Sequence, residues 1–470
     1  MTSRRCLLLL ALGLLAGQAA AAGPSLRLIV RNALLVPLDW TERPPFHGYL
    51  LVDNTGRIAA IGPGEPPASG APVYDAGGKL VLPGFLSGHS HLSQSVTRGR
   101  AAGSWVTEWG RAGAGGARQT LAGDTRAAVL HGAVDSLQAG ITTVYNYASM
   151  GRDYESLQET LRGVLDSGGR FVFGTALPRW HEAYSREELT GMLRRFLDEA
   201  KTTPGHERLL KVSISSFAMR YGEEASAFEF GVLKALPELE MDMQMHYLEP
   251  PPNVPRTYYE RSNFGWLEKY GILGPNLTFA HFIHPTEEIL RKAAEARVCM
   301  IWNPLSNGRL ASGLSDIPRY RQLGITVGMG IDGQASADIT DPFQNMRVGL
   351  YGLRFKHQDP RVMSPFEILH LHTLETARAI RVDKDVGSLE PGKFADFVVL
   401  DPSDPDVGPV YDVYATIVFA LSRANITDVF VAGNAVIRDR QFLPFDLKQF
   451  QADTRHRMQR GAESRPPAAK

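Results

Sequence analysis

Four segments, far apart in the chain, carry side chains suited to holding one divalent cation. Gly88-His89-Ser90-His91 sets two imidazoles two residues apart. On a strand, residues i and i+2 face the same side, so both rings project together. In MDMQMHYLE the methionines 241, 243 and 245 share one face, and Asp242, Gln244 and His246 share the other. Methionines suit a helix-covered side, which turns His246 inward. Glu249 has the opposite parity and reaches the same cavity only from the loop beyond the strand. In ITVGMGIDG, Ile325, Val327, Met329 and Ile331 form an apolar face opposite Thr326, Gly328, Gly330 and Asp332. Small residues beneath a single carboxylate leave room for an ion. LTFAHFIH adds His281 at a strand end and His284 just before Pro285.

Three histidines with one aspartate make a mononuclear site, for zinc first and for iron or manganese as alternatives, with water as a further ligand. The ion would bring its water's pKa towards neutrality and so make a hydroxide nucleophile. Glu249 is the candidate to take that water's proton and pass it to the departing group. His281 is the candidate to orient the hydroxide or to stabilise the developing negative charge. Each piece has a plainer reading alone: a packed core pair for H-x-H, a turn residue for Asp-Gly, a loop cap for Glu249. Their joint placement at strand ends carries the chemistry.

The elements needed to position them are legible. From Phe85 to Gly387, short apolar strands (GITTVYN, RFVFGT, LLKVSISS, LTFAHFIH, VCMIWNP) alternate with amphipathic stretches at 155–167, 186–201 and 285–296. Such alternation predicts a parallel sheet covered by helices. Eight units need about 250 residues, so residues 85–387 are read as a (β/α)8 barrel, with an open doubly wound sheet as the rival. Residues 24–84 and 388–446 alternate with period two and carry Asn54-Thr55-Gly56 and Gly433-Asn434 turns. They predict a small composite β-sandwich domain built from both ends of the chain. Residues 447–470 read as a polar tail whose last ten residues are disordered.

Residues 1–23 have two arginines, an apolar run from Cys6 to Ala16 and then small residues, the layout of a cleavable signal peptide. The run is short for a membrane span, and Ser3-Arg4-Arg5 partly resembles a twin-arginine export signal. An exported protein, periplasmic or secreted and without a stable membrane anchor after cleavage, is expected. Lys+Arg and Asp+Glu balance at 50 each over 470 residues, and loss of Arg4 and Arg5 would leave the mature chain at minus two. No basic excess supports nucleic-acid binding. The partner expected is a small molecule, and homo-oligomerisation is left open. Two cysteines are too few for a disulfide framework or a cysteine-rich metal site, which leaves the thirteen histidines.

The ordered motifs LVLPGFLSGHSHLSQSVTRG, HYLE, AHFIH, NPLSNGRLASG, GIDG and VGSLEPGKFADFVVLD resemble the amidohydrolase superfamily, in its branch of aminohydrolases, deaminases and chlorohydrolases. The resemblance spans almost the whole mature chain. It implies metal ligands at His89, His91, His246 and Asp332, proton transfer by Glu249, a polarising role for His281, and hydrolysis of non-peptide C–N bonds, or C–Cl bonds, in small heterocycles and amidine-like compounds. Two departures stand out. SSFAMRYG occupies the place of the Pro-His-x-Pro-Tyr segment of nucleoside deaminases, which puts adenosine-type deamination in doubt. Thr142-Thr143-Val144-Tyr145-Asn146 lacks an aspartate often found there.

Two rivals are defined. A binuclear amidohydrolase would need a bridging lysine; Lys211 has inward parity but sits roughly 13 Å below the strand end. A catalytically silent exported binding protein would have no use for Glu249 and His281. Trp105, Trp109, Tyr247, Trp302 and Asn303 are secondary candidates for the pocket wall, and Arg220 and Arg309 for an anionic substrate group. His131, His370 and His372 fall on helical segments and read as structural.

Overall fold

The computed structural model describes residues 25–110, 124–148, 153–176 and 180–463; the leader segment lies outside them. Five strands open the chain: β1 (Leu26–Leu35), β2 (Phe46–Asp53), β3 (Ile58–Pro63), β4 (Val73–Asp75) and β5 (Leu80–Pro83). The turn between β2 and β3 is set by Asp53, whose Oδ1 accepts from the amides of Thr55 and Arg57. Gly56 turns there with φ 80°, a conformation a side chain would resist.

The next strands run in parallel: β6 (Phe85–His91), β7 (Ile141–Ala148), β8 (Arg170–Ala176), β9 (Leu209–Ser216), β10 (Met243–Tyr247), β11 (Leu277–His281), β12 (Cys299–Trp302), β13 (Thr326–Met329) and β14 (Asp332–Gly333). Each pairs with its predecessor up to β13, and β14 pairs back onto β6. Because β13 continues through Gly330 and Ile331 into β14, the pair forms one broken eighth strand and the ring closes. A Cβ at Gly330 would lie 2.9 Å from the backbone of His89, so the close approach at this seam requires glycine.

Helices cover the ring where the amphipathic stretches predict them, at Tyr154–Asp166, Arg186–Ala200 and Glu287–Glu295. Asp153, Ser185 and Thr286 cap them by accepting from the amides of Ser156, Glu188 and Ile289. Met243 and Met245 are buried in the layer between strands and helices, leaving Gln244 and His246 for the interior.

The last strands are β15 (Phe397–Leu400), β16 (Ile426–Val431), β17 (Asn434–Arg438) and β18 (Gln441–Phe442). β15 pairs antiparallel with β5, joining both chain ends in one sheet of order β18-β17-β16-β15-β5-β1-β2-β3, with β4 beside β1. This sheet encloses its own core of Val30, Leu50, Val52, Val81, Phe397 and Phe430. It is fastened to the barrel by Arg170 on β8, which grips Asp396 with Nε and Nη2 at 2.6 and 2.9 Å, both side chains buried.

The C-terminal segment differs from the expected polar tail: Leu447–Glu463 is a helix. Phe450, Thr454 and Arg457 recur at helical spacing, and Arg457 pairs with Asp124 while Phe450 lies beside His131. Its anchoring stripe is too sparse for composition to reveal. Residues 464–470 lie outside the described segments. No helix among the described residues is long and apolar enough to cross a membrane.

Candidate active site

The chemistry-bearing side chains meet at the carboxyl ends of the barrel strands, where such barrels place their sites. His89 and His91 end β6, His246 lies on β10, His281 ends β11 and Asp332 begins β14; all are buried. Ligand atoms of His89, His246, His281 and Asp332 lie within 4.8 Å of one another. Nε2 of His91 is 3.1 Å from Nε2 of His246 and 3.5 Å from Oδ1 of Asp332, and Nε2 of His89 is 3.3 Å from that same oxygen. His281 and Asp332 adopt left-handed backbone conformations, with φ 71° and 63°. Such conformations cost about 1–3 kcal/mol each, and here they accompany the placing of His281 and Asp332 in the cluster.

Hydrogen bonds fix the rings. Nδ1 of His89 donates to Oε1 of Gln244 at 2.6 Å, and the Gln244 amide nitrogen donates to the Gly88 carbonyl at 2.8 Å, which sets its orientation. Nδ1 of His91 donates to the Tyr147 carbonyl, and Nδ1 of His281 donates to Asn307 Oδ1 at 2.8 Å. Each ring therefore turns its Nε2 towards the cluster, that of His91 against Nε2 of His246. Those of His89 and His281 are buried without a hydrogen-bond partner. Oδ2 of Asp332 accepts from Ser306 and Ser336 at 2.6 and 2.9 Å, leaving Oδ1 to face the imidazoles.

Burial, then the adjacent His89, pushes His91 down to about 3, and the same causes hold His246 well below its ordinary value. Burial raises the Asp332 carboxyl, but its contact with His89 and the surrounding histidines outweigh that and hold it well below the carboxylate range. Neutral imidazole lone pairs converging on a carboxylate oxygen repel unless a cation lies between them. This donor set fits a divalent metal ion.

Glu249 overcomes its parity through Leu248, whose φ of 52° turns the chain back. Its Oε1 lies 3.8 Å from Nε2 of His281, which in turn is 3.9 Å from Oδ2 of Asp332. Its other oxygen faces Arg220 at 3.8 Å and Arg256 at 3.6 Å. Asn303 lies beneath the cluster, its Nδ2 3.5 Å from Nδ1 of His281.

The remaining candidates are placed elsewhere. Arg309 spends its donors on Asp338 and on the carbonyls of Arg100 and Ala101, so it pins a loop and is not available to an anion. Trp109 packs with Val106, Leu310 and Ala335, and Trp105 is exposed. Tyr247 and Trp302 point into the helix-facing core, the Tyr247 hydroxyl donating to the Glu260 carbonyl. Lys211 pairs with Asp242, which also holds Arg381, so it cannot bridge two metals. His372 is structural, held by Leu86 and Asn345. Sequence reasoning missed Arg256, Glu260 and Asn307 as neighbours of the site. Gln244 was signalled by its inward parity, and Asn307 by the NPLSNGR segment; Arg256 and Glu260 lie on a loop helix, Pro255–Ser262, with no such signal.

Comparison with known proteins agrees with this geometry. The family model "Amidohydrolase family" matches residues 80–436. The chain is 27% identical over 439 residues to the 5-methylthioadenosine/S-adenosylhomocysteine deaminase of Symbiobacterium thermophilum, covering 88% of this chain and 94% of that one. It is 27% identical over 394 residues to the 5'-deoxyadenosine deaminase of Methanothermobacter thermautotrophicus, covering 83% and 90%. Among solved structures, an adenosine deaminase from Xanthomonas campestris with bound zinc superposes with a TM-score of 0.80 at 22% identity, over 94% of this chain and 100% of that one. Atrazine chlorohydrolase from Arthrobacter aurescens in complex with zinc superposes with a TM-score of 0.76 at 21% identity, over 92% and 100%. The protein belongs to the amidohydrolase family. It is a hydrolytic enzyme that uses a divalent metal ion and acts on carbon–nitrogen bonds of small molecules.

Proposed function

We propose that the enzyme holds one zinc ion with His89, His91, His246 and Asp332 and hydrolyses a C–N bond in a small cyclic amidine or amide. The observation that carries this is the spacing of the donors. Two ligands at about 2.0–2.1 Å in tetrahedral array stand about 3.3 Å apart. The His91–His246, His89–Asp332 and His91–Asp332 separations of 3.1, 3.3 and 3.5 Å follow that edge length. His281, though within the same cluster, stands back at 3.9 Å from Asp332 and 3.8 Å from Glu249.

A divalent ion bound there supplies a Lewis acid that acidifies a water for attack. Glu249 is placed to take a proton from an attacking water and to return it to the leaving nitrogen. His281, its Nδ1 proton committed to Asn307, offers a lone pair that orients the water by accepting from it. Of the two roles open to it, orientation is therefore the one supported. Deamination is the favoured form of the reaction, since the curated relatives are named as deaminases. The nucleoside version is disfavoured because SSFAMRYG stands in place of the Pro-His-x-Pro-Tyr segment of nucleoside deaminases; its Phe217 stacks on His246, ring centroids 5.2 Å apart.

The test is a panel of aminoheterocycles, cyclic amidines and cyclic amides given to zinc-loaded protein. Ammonia release from an aminoheterocycle supports deamination, and ring opening without ammonia moves the reading to a cyclic amidase. Two metal equivalents per chain, or no turnover across the panel, would sink it. We also propose that the enzyme works outside the cytoplasm, on the strength of the residue pattern of the leader; N-terminal sequencing of protein recovered from the cell envelope decides this.

A further inference from the structure

Two arginines share two carboxylates beside the metal cluster. Arg220 comes from the turn after β9, and Arg256 from the helix Pro255–Ser262 after β10. Their Nη2 atoms lie 3.8 and 3.6 Å from Oε2 of Glu249, and their Nε atoms 4.0 and 3.4 Å from Oε1 of Glu260. None of these four approaches is a hydrogen bond, and all four nitrogens are buried without a hydrogen-bond partner. Glu260 cannot swing towards them, because its Oε2 already accepts the Leu248 amide at 2.6 Å.

The same chain shows what a structural arginine pair looks like. Arg170 closes on Asp396 at 2.6 and 2.9 Å, the bidentate geometry expected when a guanidinium has found its final partner. Arg220 and Arg256 have not closed. They also repel: burial, then Arg220, pushes Arg256 down to about 10. The two side chains are still about one-fifth exposed, and four buried donor nitrogens remain unspent beside Glu249 and Glu260, so the pair keeps hydrogen-bonding capacity for a further anion. The planar fork of each guanidinium matches a carboxylate. Phe217 ties this pair to the cluster, its ring 5.2 Å from the Arg220 guanidinium and stacked on His246.

We propose that Arg220 and Arg256 form a subsite for a carboxylate on the substrate. The molecules hydrolysed are then cyclic amides or amidines bearing an acidic group close to the scissile ring carbon, within the span of Glu249. This rests on the hydrolase reading above and adds the substrate class to it.

The probes are matched pairs: 2-oxopyrrolidine-5-carboxylate against its carboxamide, and 4-aminopyrimidine-5-carboxylate against its carboxamide. Their binding to zinc-loaded, full-length protein is measured by calorimetry, and their hydrolysis separately. Each acid is expected to bind at least about tenfold more tightly than its amide, since a site with buried unpaired donors discriminates strongly against a ligand that leaves them unpaired. That preference should collapse in Arg220→Met and Arg256→Met and return in part in Arg256→Lys. Zinc content and circular dichroism verify each variant, with Arg256→Gln replacing any methionine variant that fails to fold. Equal binding of acid and amide, a preference that survives both substitutions, or no binding of either acid overturns the subsite. A preference that persists while none of the four compounds is hydrolysed upholds the subsite and counts against the hydrolase reading instead.

Discussion

Oε1 of Gln244 lies 2.6 Å from Nδ1 of His89, so one strand of the barrel dictates which nitrogen another strand offers to the metal. The glutamine is itself held by the carbonyl of Gly88, the residue next to the one whose ring it orients. Gln244→Leu removes the acceptor and frees the tautomer. Metal affinity should fall about 10–100-fold while the fold persists. Competition with a coloured chelator measures it, and an unchanged affinity would show that ring packing alone positions His89.

In the proposed mechanism Glu249 carries the proton. Glu249→Gln keeps the size and polarity of the side chain and removes its basicity. The turnover number should drop by about 10²–10⁴, with metal content unchanged, because Glu249 stands outside the donor cluster. Loss of metal in that variant would instead make Glu249 a ligand.

Arg170 and Asp396 join the barrel to the composite sheet through a buried pair, with Asp396 also accepting the Ala432 amide at 2.7 Å. Arg170→Met strands the aspartate out of water and should cost about 3–5 kcal/mol in denaturant unfolding. Replacing both residues, by Met and Leu, should recover much of that, since two unsolvated charges are then removed together. A double variant no better than the single one would contradict this account.

Glu229 is a buried carboxyl on the helix Glu223–Lys234, outside the metal cluster, and burial pushes it up to about 8 despite a hydrogen bond with Ser216. Between the ordinary glutamate value and about 8, the folded protein keeps a proton that the unfolded chain has released. Stability is therefore full at low pH and is lost as pH rises through that window. Glu229→Gln removes the loss, by a few kcal/mol at most by about pH 8. Melting temperatures at about pH 5 and pH 8 should show the variant gaining on the parent as pH rises. Parallel behaviour of the two proteins would refute the raised value.

Much of this was legible because a strand has a period of two. Parity alone separated Met243 and Met245 from Gln244 and His246, and Ile331 from Asp332, which is the division the barrel wall enforces. It is silent on how the chain turns where the backbone leaves the strand. Glu249 and Asp332 depend on left-handed residues, at Leu248 and at Asp332 itself, that propensity does not foretell. Arg256 and Glu260 meet Glu249 only through the path of a loop helix, and Arg309 was diverted by Asp338, more than twenty-five positions away in sequence. Residue type announces a charge; three-dimensional neighbours decide whether that charge is already spent.

The broken eighth strand gives the catalytic centre a second role. Asp332 pairs with Ser90, a residue 242 positions earlier, and the seam of the ring lies between the donors of β6 and the donor of β14. An ion held by the proposed ligands would be a clasp across the joint between the first and last staves of the barrel. Ring closure and ion capture then become one equilibrium: whatever loosens the joint releases the ion, and whatever binds the ion tightens the joint. A chain that has not assembled its full circuit has no centre to load, so occupancy of the site doubles as a report that the barrel is complete.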